Sequence, residues 1–358
     1  MDSADYSVDT SACMLGKKVF TQHKYRKMKK IALGIDIGGT NTAIGTVAQD
    51  GTVINKTSIP TPTDGDVDSY ITSIKTAVKE LINSLKSLDS DTEVLGIGIG
   101  APNANYHKGT IEHAPNLAFK GVVPLVAKLK EAMPEMKYIS LTNDANAAAL
   151  GELIYGGGRG MKDFIMYTLG TGVGSGIIVN GDLVYGHDGF AGECGHTMLV
   201  PGGRVCGCGV NGHLESYCSA GGIKRTAFEL MAYYNANDSL LADKSFRDLE
   251  AKDVSIAAAK GDKIALETFR VTGDYLARGI ADSIHHTAPE AVFLFGGPTA
   301  AGDLLMNPLK EALSKYLLPT FKNSNGEPKA KILISQLKAG DAAIVGASAL
   351  VWKEEEKN

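Results

Sequence analysis

Two histidines and two cysteines fall within eighteen residues of one glycine-rich segment, "GHTMLVPGGRVCGCGVNGH" (195–213). Imidazole nitrogen and thiolate sulfur are the usual ligands of structural Zn²⁺, and a Cys-x-Cys step with nearby histidine is a common source of them. The alternative is a set of loop residues that bind no metal. If the zinc site forms, four protein ligands leave no open position for water, so its role would be structural. The predicted ligands are His196, Cys206, Cys208 and His213.

Three glycine-rich turns follow apolar segments, at "DIGGT" (36–40), "GTGVG" (170–174) and "FGG" (295–297). Such turns present several backbone N–H groups to one point and can hold phosphate oxygens. Any one of them could exist only because a tight turn needs glycine. Two in equivalent positions of a repeat, with a third after another strand, favour a nucleotide-phosphate site. The predicted phosphate-binding residues are Gly38, Gly39, Thr40, Gly170, Thr171, Gly172, Gly296 and Gly297.

Asp36 lies inside an otherwise apolar predicted strand, "IALGIDI". Burying a carboxylate is costly unless a cation or a hydrogen-bond donor compensates for the lost water. A Mg²⁺ ion bound to the phosphates and reached through water would provide that compensation. Asp36 is therefore predicted to belong to the nucleotide site, with Mg²⁺ as a cofactor.

The elements that must position these residues repeat along the chain. Residues 31–54 and 164–185 each read as a strand, a Gly/Thr-rich turn, a second strand, a "DG" or "NG" hairpin and a third strand. This repeat of a three-stranded unit, about 130 residues apart, predicts two similar lobes that face each other across a cleft.

Strands and helices alternate through the rest of the sequence. The segment "SYITSIKTAVKELINSLKSL" has helical apolar spacing, and "ANAAALGELIY" is an alanine-rich helix stopped by glycines. Residues 254–288 are predicted to be helical in two parts, and residues 341–356 form a last helix. Short apolar strands are predicted in "EVLGIGIGAP", "YISLTND", "AVFLFGG" and "KILISQL". This alternation predicts an α/β fold.

Composition excludes several classes of protein. The 358 residues carry a net charge of −4, without the basic excess of a nucleic-acid-binding protein or the long apolar run of a membrane span. Five cysteines are a poor disulfide framework for this length and indicate a reducing cytoplasm. Residues 1–28 show no helical or strand period and no signal-peptide core, so we expect a disordered leader there.

Seven segments in order give the chain a resemblance to the ROK family (repressors, open reading frames, kinases). They are "DIGGT", "NDANAAALGE", "GTGVGSGIIVNG", "GFAGECGH", "CGCGVNGHLES", "LFGG" and "GDAAIVGA". The resemblance runs from about residue 30 to the C-terminus. It implies the duplicated actin-like, hexokinase-like fold of the ribonuclease H type, with two lobes and a cleft, and the activity of a bacterial sugar kinase.

The resemblance implies that Asp144 is the catalytic base. A sugar hydroxyl is a poor nucleophile until an aligned carboxylate accepts its proton. By position alone, an Asn-Asp pair between a strand and a helix could equally be a helix cap. The resemblance assigns hexose binding to Gly100, Asn103, Asn143, Asp144, Glu193, His196 and Glu215.

The metal site has one departure from the family pattern. The family places a histidine and then cysteines ten, twelve and seventeen residues later, whereas position +17 here is His213. Histidine also binds zinc, so we interpret the change as ligand replacement. The zinc would hold the loop so that Glu215 and the free face of His196 meet the sugar.

The sequence thus predicts an ATP-dependent hexose kinase, foremost a glucokinase acting on the 6-hydroxyl, and by resemblance a homodimer. A kinase for N-acetylhexosamines or another hexose is the alternative, because pocket volume near the sugar's C2 is not readable from sequence. A sugar-sensing repressor is less favoured, since the 35 residues before Asp36 show no DNA-binding helical pattern. We expect a small lobe of residues 29–142 and 341–358, and a large lobe of residues 143–340 carrying the zinc loop.

Overall fold

The computed structural model of the protein describes residues 29–88, 90–338 and 340–357, so the predicted leader, residues 1–28, lies outside the described residues. The described strands, in chain order, are β1 (Lys29–Ile37), β2 (Asn41–Ala48), β3 (Val53–Pro60), β4 (Thr92–Gly100), β5 (Ala104–Asn105), β6 (Thr110–Glu112), β7 (Val122–Val123), β8 (Tyr138–Thr142), β9 (Phe164–Leu169), β10 (Val173–Val179), β11 (Asp182–Leu183), β12 (Ala291–Phe295) and β13 (Lys331–Ile334). The described helices are α1 (Val67–Leu88), α2 (Leu125–Ala132), α3 (Asp144–Tyr155), α4 (Glu215–Cys218), α5 (Ala220–Tyr234), α6 (Ala251–Ala259), α7 (Lys263–Thr287), α8 (Asp303–Tyr316) and α9 (Ala342–Glu356).

Two five-stranded sheets have the same topology. The first has the order β3-β2-β1-β4-β8 and the second has the order β11-β10-β9-β12-β13. In each sheet the first three strands form an antiparallel meander, and the remaining two pair in parallel. The predicted duplication and the predicted α/β class are therefore confirmed.

The second hairpin follows its sequence signal closely. Asn180 and Gly181 join β10 to β11 with φ angles of +54° and +83°, the left-handed pair that a two-residue type I′ turn requires. The third strand of this unit is shorter than the apolar segment "DLVY" suggests. It is β11, which ends at Leu183.

Helices α3 and α9 lie between the two sheets, and each approaches a sheet through glycine. A Cβ atom at Gly98 of β4 would lie 1.9 Å from the carbonyl oxygen of Ala347 in α9, and one at Gly34 of β1 would lie 1.9 Å from that of Ile344. On the other side, a Cβ at Gly176 of β10 would lie 2.6 Å from Cβ of Ala149 in α3. No other residue type leaves room for these helices.

The core is divided between the sheets in the same way. One large cluster packs α1 and α2 against the first sheet around Leu33, Ile74 and Ile97. A second packs α5 to α8 against the second sheet around Tyr167, Phe269 and Leu294. Among the described helices, none is both long enough and apolar enough to cross a membrane.

The close approach of α9 predicts that Gly98→Ala destabilises the fold. The added methyl group would overlap the backbone of Ala347, so the free energy of unfolding should fall by about 3 kcal/mol. Gly340→Ala is the control, because a Cβ there meets nothing within 4 Å. Urea unfolding followed by circular dichroism measures both variants, and equal midpoints for the two would contradict the packing described here.

Candidate active site

Asp36, Gly100 and Asp144 meet at the carboxyl ends of β1 and β4 and the start of α3. A Cβ atom at Gly100 would lie 4.0 Å from Oδ1 of Asp36 and 3.7 Å from Cα of Asp144. Asp36 pairs with Gly100 in the parallel register of β1 and β4. The fold thus brings two acidic residues from different elements together beside Gly100, where an added Cβ would also lie 3.4 Å from Cβ of Ala147.

Asp144 is the first residue of α3, and Asn143 is its N-cap. Oδ1 of Asn143 and Oδ1 of Asp144 each accept a hydrogen bond from the N–H of Ala145 at 2.8 Å. The helix-capping role that position alone suggested is therefore real, and Asn143 performs it. Asp144 remains accessible to solvent, so a cap and a reactive carboxylate coexist at this helix start.

Partial desolvation raises the pKa values of both carboxyl groups. The pKa of Asp36 rises to about 6, chiefly because burial penalises the ionised form and secondly because Asp144 carries the same charge. Burial also raises the pKa of Asp144, against the opposing effect of backbone hydrogen bonds at the helix start. A carboxylate with a raised pKa in a cleft is suited to accept a proton near neutral pH.

Glu193 lies within electrostatic reach of the same cluster. Burial raises its pKa, Asp144 and Glu215 raise it further, and His196 lowers it. Glu193 precedes a short 3₁₀ turn, Cys194–His196. Ser175 of β10 fixes that turn, since its Oγ accepts the N–H of Cys194 at 3.0 Å and donates to the carbonyl of Gly192. Sequence reasoning missed Ser175.

Glu215 connects two predicted parts of the site. Its Oε2 accepts the N–H of Val173 at 3.0 Å, and its Oε1 accepts the Cys206 thiol at 3.1 Å. A Cβ at Gly172 would lie 2.4 Å from Oε2, so glycine is needed there for the carboxylate to reach the turn. Glu215 therefore joins the predicted metal loop to the second predicted phosphate turn.

Asn103 lies in an exposed turn just beyond Gly100. It has a left-handed φ of +50°, and its Nδ2 donates to the carbonyl of His113 at 3.4 Å. Its own carbonyl accepts the N–H of Glu112 at 3.0 Å. No described hydrogen bond joins Asn103 to the carboxylate cluster, so proximity along the chain to Gly100 is what relates it to the site.

Two of the three glycine-rich turns lie side by side at the second sheet, and the third belongs to the first sheet. Gly296, with φ of +111°, passes so close to β9 that a Cβ would lie 2.0 Å from the carbonyl oxygen of Leu169. The turn at Gly296 and Gly297 is thereby placed beside the turn at 170–172. The turn at 38–40 belongs to the first sheet. The N–H of Gly38 donates to the carbonyl of Asn41, and both Gly39 and Thr40 are exposed.

The four predicted metal ligands come together. One ligand atom from each of His196, Cys206, Cys208 and His213 lies within 4.8 Å of every other. Nδ1 of His213 is 3.2 Å from Nδ1 of His196 and 3.2 Å from Sγ of Cys208. Tetrahedral zinc bonds of about 2.0–2.3 Å place ligand atoms roughly 3.5 Å apart, so this set could hold zinc after a small contraction.

A buried arginine anchors the metal loop, and sequence reasoning missed it. The Arg204 guanidinium pairs with Glu229 at 2.5 Å and lies 4.6 Å above the Tyr217 ring. It also donates to Oγ1 of Thr226 at 3.0 Å and to the carbonyl of Ser216 at 3.3 Å. An arginine directly after two glycines in "PGGRVC" was the available signal, because a glycine-rich loop gives such a side chain no local partner.

Comparison with known proteins shows what the whole chain is similar to. The chain is 36% identical to a glucokinase from Halalkalibacterium halodurans over 90% of this chain and 95% of that protein. It is 30% identical to an N-acetylmannosamine kinase from Escherichia fergusonii over 70% of this chain and 77% of that protein.

A solved structure is also similar. A ROK family glucokinase from Streptomyces griseus, in complex with glucose and AMPPNP, superposes with a TM-score of 0.72 at 33% identity, covering 90% of this chain and 99% of that one. The family model described as ROK family matches residues 32–354. The chain therefore belongs to the ROK family.

Proposed function

We propose that this protein is an ATP-dependent hexose kinase that phosphorylates glucose at its 6-hydroxyl. The observation that carries the proposal is the pair of acidic residues, Asp36 and Asp144, which come together beside Gly100. Similarity to glucokinases over nine-tenths of the chain supports glucose as the acceptor and ATP as the donor. The 30% identity to an N-acetylmannosamine kinase makes an N-acetylhexosamine the second candidate.

The sugar is proposed to lie against the start of α3 and the loops on either side. Carboxylates and amides can each bind two adjacent hydroxyls, which suits the polyhydroxyl surface of a hexose. His196 and Asp144 lie close enough to Glu193 to shift its pKa, His196 downward and Asp144 upward, which supports their placement around one ligand. The proposed sugar-binding residues are Gly100, Asn103, Asn143, Asp144, Glu193, His196 and Glu215.

The phosphates of ATP are proposed to lie on the glycine-rich turns. Gly170, Thr171 and Gly172 border Glu215, and Gly296 and Gly297 lie beside them. Gly38, Gly39 and Thr40 approach from the first sheet. In the transfer, the sugar O6 forms a bond to the γ-phosphorus while the bond from that phosphorus to the β–γ bridging oxygen breaks. Asp144 accepts the hydroxyl proton.

The residues present fit a Mg²⁺ ion that accompanies ATP. Asp36 is a desolvated carboxylate next to a second carboxylate, and a cation would relieve both penalties. We propose that Asp36 holds the ion through water, as is usual for Mg²⁺ bound to nucleotide phosphates. When bound, Mg²⁺ neutralises charge on the transferring phosphoryl group.

The residues present also fit structural zinc. Two thiols and two imidazoles converge, and the loop outside the cluster is fixed by Arg204. We propose His196, Cys206, Cys208 and His213 as the ligands. Nδ1 of His196 faces the cluster, so its opposite ring nitrogen is available to the sugar. Zinc would supply a fixed geometry for the loop that carries Glu215.

We propose that residues 29–142 with 341–358, and residues 143–340, act as two lobes that close on the sugar. Closure would exclude water and limit ATP hydrolysis.

The described cysteines Cys194, Cys206, Cys208 and Cys218 are all free, which supports a reducing compartment such as the cytoplasm. A homodimer is proposed from family resemblance.

The first test is phosphorylation of a hexose panel, measured as ADP release and by mass of the sugar product. Glucose is expected to give the highest kcat/KM and to yield glucose 6-phosphate. A higher value for an N-acetylhexosamine would transfer the assignment to the second candidate. If no simple sugar stimulates ADP release, the kinase proposal is wrong.

Asp144→Ala is expected to lower kcat by at least about a hundredfold, the usual contribution of a general base. Sugar and nucleotide affinities, measured by calorimetry, should change little, because other side chains provide most binding contacts. Asp50→Ala is the control, since Asp50 is an exposed turn residue that accepts the N–H of Thr52 at 2.9 Å. A variant that keeps more than a hundredth of the rate would contradict the base role.

Asp36→Asn is expected to stabilise the nucleotide-free protein above pH 6. The folded-state pKa of Asp36, about 6, exceeds its unfolded value of 3.8, so ionised Asp36 costs stability as pH rises through that window. The gain at pH 8 should be on the order of 2 kcal/mol and vanish near pH 4. Urea unfolding across this range measures it, with Asp50→Asn as the control. A gain that does not depend on pH would contradict the electrostatic explanation.

Removal of zinc is expected to raise the glucose KM more than it lowers kcat. Purified protein should contain one zinc per chain by elemental analysis, and His213→Ala should lose it and melt at a lower temperature. His213→Cys should restore the metal, because thiolate is an equivalent ligand. His187→Ala is the control, as an exposed histidine outside the cluster. An unchanged KM after verified metal loss would contradict the proposed role.

A further inference from the structure

Glu152 is a fully buried carboxylate to which the proposed chemistry assigns no role. It lies in the last turn of α3 and is 0% exposed. It also ends the segment "NDANAAALGE", whose first residues form the candidate active site. A buried carboxylate is strongly unfavourable unless hydrogen-bond donors replace its water, so the donors that Glu152 uses are informative.

Three donors bind the Glu152 side chain. Oε1 accepts the N–H of Gly157 at 2.6 Å and that of Gln336 at 3.2 Å. Oε2 accepts the hydroxyl of Ser335 at 2.5 Å. Two of these donors are about 180 residues away in the chain, and two of the three are backbone groups that mutation of a side chain does not remove.

The donors belong to the two segments that pass between the sheets. Gly157 follows α3 on the path from β8 of the first sheet to β9 of the second. Ser335 and Gln336 follow β13 of the second sheet on the path to α9, which packs against the first. One carboxylate therefore binds the outgoing and the returning crossing together.

Glycine allows the outgoing crossing to fold around the carboxylate. A Cβ at Gly156 would lie 2.6 Å from Cδ of Glu152. One at Gly157 would lie 3.1 Å from both Oε1 of Glu152 and Nε2 of Gln336. The tight sequence "YGGG" after α3 is thus explained by the space that Glu152 and the returning crossing occupy.

We propose that Glu152 is a positioning residue that joins the two segments crossing between the sheets, just inside the boundary of the proposed large lobe. It holds both crossings in one register, so that α3 turns as a unit with the segment that leads to α9. Asp144 begins the same twelve-residue helix. A change in the angle between α3 and the first sheet therefore moves the proposed base relative to Asp36. The inference rests on the proposed function for its kinetic consequence, but the coupling of the two crossings is a property of the fold alone.

The test compares Glu152→Gln with Asp262→Asn. Asp262 is also a buried carboxylate with three donors, Ala265 N–H, Leu240 N–H and Ser239 Oγ, but these lie in the first turn of α7 and in the turn between α5 and α6, outside the two crossings. Both variants should melt at lower temperature. Glu152→Gln alone should lower kcat/KM for the sugar about tenfold, with kcat and KM both changed, as substitutions that disturb lobe closure do. It alone should also reduce the sugar-induced decrease in radius of gyration in X-ray scattering.

Hydrogen exchange provides a readout that needs no activity. In Glu152→Gln, the amides of Gly157 and Gln336 should both lose protection, whereas both should stay protected in Asp262→Asn. Ser335→Ala removes one donor and keeps the two backbone donors, so it should fold and show a smaller change in the same direction.

Two outcomes would overturn the positioning role. One is a Glu152→Gln protein with reduced melting temperature but wild-type kinetics, compaction and exchange. If that variant does not fold, the other is Ser335→Ala with wild-type values throughout. A wild-type protein that phosphorylates no hexose would instead refute the proposed function, and the exchange of Gly157 and Gln336 would still decide whether Glu152 couples the crossings.

Discussion

The structure depends on how closely helix α3 can approach its neighbours. Gly174 and Gly176 of β10 leave room for Ala145 and Ala149 of the helix, and a Cβ at Gly346 of α9 would lie 2.6 Å from an α3 carbonyl. A helix packed this closely against β10 keeps a fixed position on the second sheet, since close-packed interiors resist small displacements. Its first residues are consequently placed with the precision that a catalytic carboxylate needs.

Much of the fold could be predicted from the sequence because its signals are local. The meander repeats as apolar strands separated by glycine turns, and Asn180–Gly181 specifies its own hairpin. The small sheet of β5, β6 and β7 could not be predicted, since strands of two or three residues carry no period. The seating of α9 on β1 and β4 was also invisible, because Gly34 and Gly98 show their purpose only when the partner helix is in place.

The candidate site, like the fold, contains residues that local sequence signals predict and residues that they do not. The convergence of the four proposed metal ligands was predictable because they lie close together in sequence, and their spacing limits how the loop can fold. Ser175, Arg204 and Glu152 were not, because their partners come from other elements. A lone polar residue in an apolar or glycine-rich segment signals that some partner exists without identifying it. The buried glutamate near the end of an alanine-rich helix is the clearest case.

The candidate site groups several acidic side chains whose ionised forms are partly desolvated, and this arrangement opposes stability. Asp36 and Asp144 are both disfavoured in their ionised forms, and Glu193 lies close enough to add to the repulsion. A raised pKa nevertheless makes a carboxylate a stronger base, which is what proton removal from a sugar hydroxyl requires. The rest of the chain must therefore hold these groups by force of packing and hydrogen bonding. Hydrogen-bond networks such as those of Arg204 and Glu152 belong to this support, and a cation fixed beside Asp144 would instead weaken it as the proposed base.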